Sequence, residues 1–304
     1  MEPLLQRLPR GARVAVIRLR SLGDCVLTTP ALEILKRTRP DLELAVVAEP
    51  RWEGVFENNP DVNQTLQPGL RALARWHPSL VLNLHGGTRS MALVAASRAR
   101  FRAGFAHHRG AAAFYNVPIP RAQTILGEER KVHTAEHLAS AIFYLGAPRC
   151  EIPRARLFAS PRPAERPYAV LHPLASAPGK AWPAERFLAV ARRLNEARGL
   201  EPVFIAGPGE DLDAFAAYRG LAGAPLAEVK SLLAGAALFI GNDSGPAHMA
   251  AAFGIPVIVF YGPSDPVVWA PWKTASRVFA APEGMAGIDA GEVIAAMERL
   301  RVAA

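Results

Sequence analysis

Along the whole chain, short runs of consecutive apolar residues alternate with longer stretches whose apolar positions recur every three or four residues. The first pattern predicts buried strands and the second amphipathic helices. In the first half the strand-like runs are RVAVIRL (13–19), LELAVVAE (42–49), VNQTLQ (62–67), LVLNLH (80–85) and FRAGFA (101–106). Helical stretches are predicted over 28–38, 69–76, 88–98 and 133–146, the last with Gly146 as its stop signal. Residues 147–167 carry five prolines and little periodicity, so they read as an extended linker. The alternation then resumes with YAVLHPL (168–174), PVFIAG (202–207), ALFIGND (237–243) and PVIVFYG (256–262). Helices are predicted around them at 184–198, 210–217, 225–235, 246–253 and 288–302. Strands that are apolar throughout, alternating with helices, argue for a mostly parallel sheet covered on both faces. The expected fold is α/β, with two Rossmann-like domains at 1–160 and 161–287 and a cleft between them. The expectation for the last segment, 288–304, is a helix that packs back on the first domain.

Four junctions between strand and helix hold residues with chemistry. In IRLRSLGDCVL, Asp24 follows a glycine at the end of the first strand and the start of a helix. A helix cap and a catalytic base both suit that place, since ligands of open α/β sheets bind beyond the carboxyl ends of the strands. In LFIGNDSGPAHMAAAFG, a strand ends at Asn242-Asp243, Ser244-Gly245 form the turn, and Pro246 opens a helix. Such a turn points backbone N–H groups outward as a phosphate site, while Asp243 suits sugar hydroxyls better than phosphate. His248 lies one turn into that helix. In LHPLASAPGKAWPAERF, Lys180 precedes a helix start, an arrangement able to stabilise a leaving diphosphate or simply to be solvated. In FIAGPGEDLDAF, Glu210 follows a Gly-Pro-Gly turn and fits either a ribose ligand or the dipole of a helix predicted there.

Charge sharpens the picture more than composition does. The chain has 304 residues and a net charge of +8. Residues 1–160 hold 22 Lys/Arg against 13 Asp/Glu, and residues 161–304 hold 13 against 14. All the excess positive charge therefore belongs to the first half, which points to an anionic partner there. The basic residues are mostly scattered arginines without aromatic interleaving or a recognition-helix motif, so nucleic acid is not an expected partner. No apolar run approaches the roughly 20 residues of a membrane span, and MEPLLQRLPRGAR lacks the apolar core of a signal peptide. Cys25 and Cys150 have neither redox nor metal-ligand spacing, and a reduced cytoplasmic setting is expected.

In this order and at this spacing, RLRSLGDCVLTTPAL, HP…S.PGKAWPAERF, GPGE and GNDSGPAHMAAAFGIPVIVFYGPSDPVVWAPW resemble the ADP-heptose:lipopolysaccharide heptosyltransferases, glycosyltransferase family 9. The resemblance spans nearly the whole chain. It implies a GT-B fold, with acceptor site in the first domain and nucleotide-sugar site in the second. It implies an inverting, metal-independent transfer of heptose from ADP-heptose to the lipopolysaccharide inner core. By position, Asp24 matches the family's catalytic aspartate and Lys180 the lysine of its K-x-W-P motif, which contacts the donor diphosphate. Glu210 matches the acidic residue assigned to the ribose, and Asp243, Ser244, Gly245 and His248 match the donor loop. Two departures stand out: Leu174 replaces a common glycine, next to the expected nucleotide contact at Ala175 and Ser176, and Asn83 replaces a common aspartate. Arg20, Arg51 and Arg89 are expected to draw an anionic, lipid-linked saccharide acceptor to the inner face of the cytoplasmic membrane. A base at Asp24 would take the proton of the attacking hydroxyl. The rival readings are another GT-B nucleotide-sugar enzyme, such as an epimerase or a family 9 transferase of different donor or acceptor, and a non-catalytic nucleotide-binding protein.

Overall fold

In the computed structural model, which describes residues 2–106, 111–175 and 177–300, the apolar runs become the central strands of two sheets. Val14, Ala15, Val16 and Ile17 are wholly buried because both faces of their sheet are covered by helices. The first sheet contains β1 (Arg13–Ile17), β2 (Glu43–Val47), β3 (Gln64–Leu66), β4 (Leu80–Asn83), β5 (Phe101–Phe105) and β6 (Val117–Ile119). The second contains β7 (Tyr168–His172), β8 (Glu201–Ala206), β9 (Arg219–Ala222), β10 (Leu238–Asn242), β11 (Val257–Tyr261) and β12 (Ser276–Ala280). Their orders are β3-β2-β1-β4-β5-β6 and β12-β11-β10-β7-β8-β9, and the strand pairs are parallel. Both therefore have the doubly wound Rossmann order, which reverses direction between β1 and β4 in one sheet and between β7 and β10 in the other. Those two reversals mark where ligands of such sheets bind.

The chain divides into Met1–Ala155 and Arg156–Ala304, with the division inside the proline-rich stretch, where no helix or strand forms. In the first unit the helix Leu22–Thr38 begins directly after β1, six residues before the predicted 28–38, and packs against the helix Thr134–Tyr144. In the second unit Trp182, Phe187, Phe204 and Phe260 fill the core beneath the helix Ala184–Arg198. Trp182 stacks on Phe260 with ring centroids 4.3 Å apart and donates its indole N–H to the Ile288 carbonyl at 3.0 Å.

Several elements differ from the sequence expectation. The last helix, Ala290–Arg299, packs on the helix Ala184–Arg198, and its Val293 and Met297 join the core of the second unit rather than the first. The helix expected over 210–217 is only a 3₁₀ turn, Asp213–Phe215. The strands β6, β9 and β12 were not signalled by apolar runs, because all three are sheet edges with partly exposed side chains and β6 contains Pro118. Among the described residues, no helix is long and apolar enough to cross a membrane.

Candidate functional site

At the reversal of the first sheet, the loop after β1 and the loop after β4 enclose a pocket of about 390 Å³ lined by Arg18, Arg20, Ser21, Asp24, Arg51 and His85. The sequence explains how Asp24 is held there. Ser21 is the N-cap of the helix Leu22–Thr38 and Asp24 its N3 residue, forming a capping box. Asp24 Oδ2 accepts from the Ser21 backbone N–H at 3.2 Å and from its hydroxyl at 3.0 Å. Oδ1 accepts from the Arg18 guanidinium, whose other branch donates to the Leu84 carbonyl. Arg18 is only 7 % exposed, so the pair is largely desolvated on the arginine side. The cap and base readings of Asp24 are thus compatible: of the four lone-pair directions of a carboxylate, the described residues engage three and leave one on Oδ1.

Asn83, the departure from the family's aspartate, is buried at the end of β4 and uses both ends of its amide. Its Nδ2 donates to Ser90 Oγ at 3.0 Å and to the Tyr115 hydroxyl at 2.9 Å, while Oδ1 accepts from the backbone of His85 at 3.1 Å and Gly86 at 3.3 Å. A carboxylate could not supply the two donors. Asn83 thereby fixes the loop that carries His85, which the sequence reading did not single out. Burial, with Arg18 next, holds the His85 ring below the ordinary histidine pKa. Arg18 was missed as well, although its spacing six residues before Asp24 across a strand-to-helix turn was available. Arg20, Arg51 and Arg89 are all exposed, and Arg51 and Arg89 both pair with Glu49, at 3.4 and 2.9 Å. Arg20 has no carboxylate partner among the described residues.

At the reversal of the second sheet, Gly241 on β10 lies so close to β7 that a Cβ would sit 2.9 Å from the His172 carbonyl. Asn242, fully buried, ties the surrounding loops: Oδ1 accepts from Trp182 N at 3.0 Å and Nδ2 donates to the Pro173 carbonyl at 2.8 Å. With the Trp182 ring in the core, this contact fixes the segment carrying Lys180. Lys180 ends the 3₁₀ turn Pro178–Lys180 and donates to Ser264 Oγ at 3.1 Å. The approach needs a glycine, since a Cβ at Gly262 would lie 2.9 Å from the Gly179 carbonyl. Asp243 lies close enough to Lys180 and Ser264 for both to act on its carboxyl, so an ammonium, a hydroxyl and a carboxylate cluster here. Burial raises the Asp243 pKa, and Ser264 and Lys180 hold it back. Ser264 was also missed in the sequence.

The helix Gly245–Phe253 starts with Pro246, and its N-cap Ser244 makes no side-chain cap bond. The Ser244 Oγ is buried without a hydrogen-bond partner among the described residues, and the first-turn N–H groups face an uncapped end. His248 in that first turn is 5 % exposed. Glu210 is exposed, and its carboxylate accepts from the Gly207 N–H at 2.7 Å, closing the Gly-Pro-Gly turn instead of starting a helix. It also faces His172, whose imidazole burial drives down to a pKa of about 4. Lys180, Asp243, Ser244, Gly245 and His248 therefore gather at one reversal, with Glu210 at the neighbouring strand end. Ser176 lies outside the described residues. Among the described residues no group of three His, Cys, Asp or Glu is arranged to hold a metal ion.

Residues 70–289 match the model of glycosyltransferase family 9 (heptosyltransferase). A lipopolysaccharide heptosyltransferase 3 of Escherichia coli is 26 % identical over 335 residues, covering 93 % of this chain and 97 % of that protein. The crystal structure of a family 9 glycosyltransferase from Veillonella parvula superposes with a TM-score of 0.84 at 23 % identity, over 94 % of this chain and 96 % of that one. E. coli heptosyltransferase WaaC with ADP-2-deoxy-2-fluoro heptose gives 0.78 at 21 % identity, over 94 % and 99 %. These neighbours share the two-unit GT-B fold with the chain. With a family match over most of its length, this chain belongs to glycosyltransferase family 9 (heptosyltransferase) and is a glycosyltransferase.

Proposed function

We propose that this protein transfers heptose from ADP-heptose to the lipopolysaccharide inner core with inversion at the anomeric carbon. The observation that carries the reading is that each unit holds its own chemistry at its sheet reversal: Asp24 in one, and Lys180, Ser264 and Asp243 in the other. A protein that only bound nucleotide would need the second set and not the first. One relative described above is a lipopolysaccharide heptosyltransferase, and another is a heptosyltransferase with ADP-2-deoxy-2-fluoro heptose.

In an inverting displacement the acceptor hydroxyl attacks from the face opposite the leaving diphosphate and must lose its proton as the bond forms. Asp24 takes that proton on the lone pair of Oδ1 left open by Arg18. Arg18 and Ser21 hold the carboxylate still, so its orientation is set before substrate arrives. On the donor side, Lys180 and the N–H groups of the helix Gly245–Phe253 offset the charge that grows on the departing ADP. That role needs no metal ion in this reading. Ser264 holds Lys180 near Asp243, which accepts from sugar hydroxyls beside the cationic diphosphate site. Glu210 is the ribose contact, with one carboxylate oxygen free of the Gly207 turn, and Ser176 completes the nucleotide contact.

The acceptor is read as an anionic, lipid-linked saccharide, drawn by Arg20, Arg51 and Arg89 to the inner face of the cytoplasmic membrane. Glu49 already offsets Arg51 and Arg89, so Arg20 is the cation most open to the acceptor's anionic groups. The test is mass spectrometry of lipopolysaccharide from a strain lacking this protein. A core shortened by heptose supports the reading, and an unchanged core contradicts it.

A further inference from the structure

We infer that His85 contacts the acceptor saccharide, its ring accepting a hydrogen bond from a sugar hydroxyl beside the one that Asp24 deprotonates. This rests on the heptosyltransferase reading above and adds a residue to its acceptor side. His85 lines the same pocket as Asp24, on a loop anchored beneath by Asn83 and beside by the Arg18 bond to the Leu84 carbonyl. The Arg20 backbone lies near the ring, and His85 lines the pocket beside Arg18 and Arg20. A neutral imidazole has one nitrogen that is an acceptor only.

That acceptor matters because Asp24 has so little capacity to spare. With one lone pair of Oδ1 open, the carboxylate can serve the attacking hydroxyl but not a second one. Every other side chain of the pocket except Ser21 is a cationic donor, namely Arg18, Arg20 and Arg51. A sugar ring carries hydroxyls that both donate and accept. The arginines can donate to its oxygens, but a hydroxyl proton next to the reacting one needs an acceptor, and His85 supplies it. The pocket thus reads a pair of hydroxyls through two acceptors, one a carboxylate and one an imidazole.

The charged groups around His85 set the sign of its pH dependence. Arg18 and Arg20 from the loop after β1 disfavour the imidazolium and Asp24 favours it, while Arg51 from the turn Pro50–Val55 also lines the pocket and is engaged, like Arg89, with Glu49. Burial adds to the cations, so protonation is pushed below the ordinary histidine range. As pH falls through that value the ring gains a second N–H, loses its acceptor, and repels the neighbouring arginines.

The experiment measures initial rates with ADP-heptose and a deacylated lipopolysaccharide inner-core oligosaccharide for the parent, His85→Ala and His85→Gln, from pH 5 to 8. Acceptor KM is expected to rise about three- to tenfold in His85→Ala, the worth of one neutral hydrogen bond. Donor KM and ADP affinity stay at the parent values. His85→Gln keeps an acceptor oxygen and is expected to recover most of the acceptor KM, while the acid-side rise of that KM below pH 6.5 disappears. A parental acceptor KM in His85→Ala, or an unaltered acid-side rise in His85→Gln, overturns the inference. If His85→Ala does not fold, His85→Gln decides alone. If the parent transfers no heptose, the functional reading fails separately. The inference is then decided by NMR of labelled histidine: movement of the His85 ring signals on adding the oligosaccharide supports it, and unmoved signals overturn it.

Discussion

Replacing Asp24 with asparagine tests stability and chemistry in one protein, because the carboxylate accepts three hydrogen bonds from three donors. The amide that replaces it has one acceptor oxygen and one NH₂ group. With the oxygen toward Arg18, the NH₂ faces Ser21, whose hydroxyl can turn to accept but whose backbone N–H cannot. Losing that capping bond costs about 1 kcal/mol. Exchanging a charge-assisted bond to Arg18 for a neutral one costs about 1 kcal/mol more. The side chain of Asp24 is 19 % exposed and that of Arg18 only 9 %, so solvent relieves the aspartate side more than the arginine side. The sum, about 2 kcal/mol, stays below the roughly 3–5 kcal/mol of a fully broken buried pair because Arg18 keeps the Leu84 carbonyl. For a unit of this size it corresponds to a melting point lower by about 4–8 °C. Urea denaturation and thermal melting measure this, while calorimetry with ADP shows whether the donor unit is intact. The expected protein melts earlier, binds ADP as the parent does, and turns over about 10²–10⁴ times more slowly, the usual contribution of a positioned base. Parental stability would refute the bonding at Ser21 and Arg18, and a rate above about a tenth of the parent's would refute the base.

Lys180→Ala should weaken ADP binding at least tenfold by calorimetry, since a charge-assisted contact of about 1.5–3 kcal/mol is removed; parental affinity would misplace the diphosphate site. Raising ionic strength should increase acceptor KM steeply and donor KM less, because Arg20, Arg51 and Arg89 are exposed and readily screened. Equal sensitivity of the two constants would contradict an electrostatically captured acceptor.

The central strands could be read from the chain because a strand buried on two faces leaves an unbroken apolar run, as VAVI at 14–17 does, whereas the strand orders and their reversals needed the structure. The edge strands leave no such run: Ser276–Ala280 and Arg219–Ala222 are largely exposed, and the second was masked by a helical reading of the residues before it. The helix Leu22–Thr38 was started too late because its first turn is specified by Ser21 and Asp24 rather than by apolar spacing. At the sites, residues on strand-to-helix turns were visible because glycine, proline and a charged group coincide there. Arg18, His85 and Ser264 were not, for each acquires its place from a segment distant in sequence. Arg18 meets Leu84, His85 shares a pocket with Arg20, and Ser264 meets Lys180 across 84 positions. Trp182 was legible only as part of a motif; its role, anchoring the Lys180 segment in the core, needed the Ile288 and Phe260 contacts.

The most direct test of the account is transfer itself, carried out in EDTA with ADP-heptose and the deacylated inner-core oligosaccharide, with the product examined by mass spectrometry and NMR. The account predicts an oligosaccharide heavier by one heptose, an anomeric configuration at the new linkage opposite to that of the donor, and a rate that EDTA does not lower. Retained configuration, release of free heptose alone, or activity that returns only on adding Mg²⁺ or Mn²⁺ would contradict it.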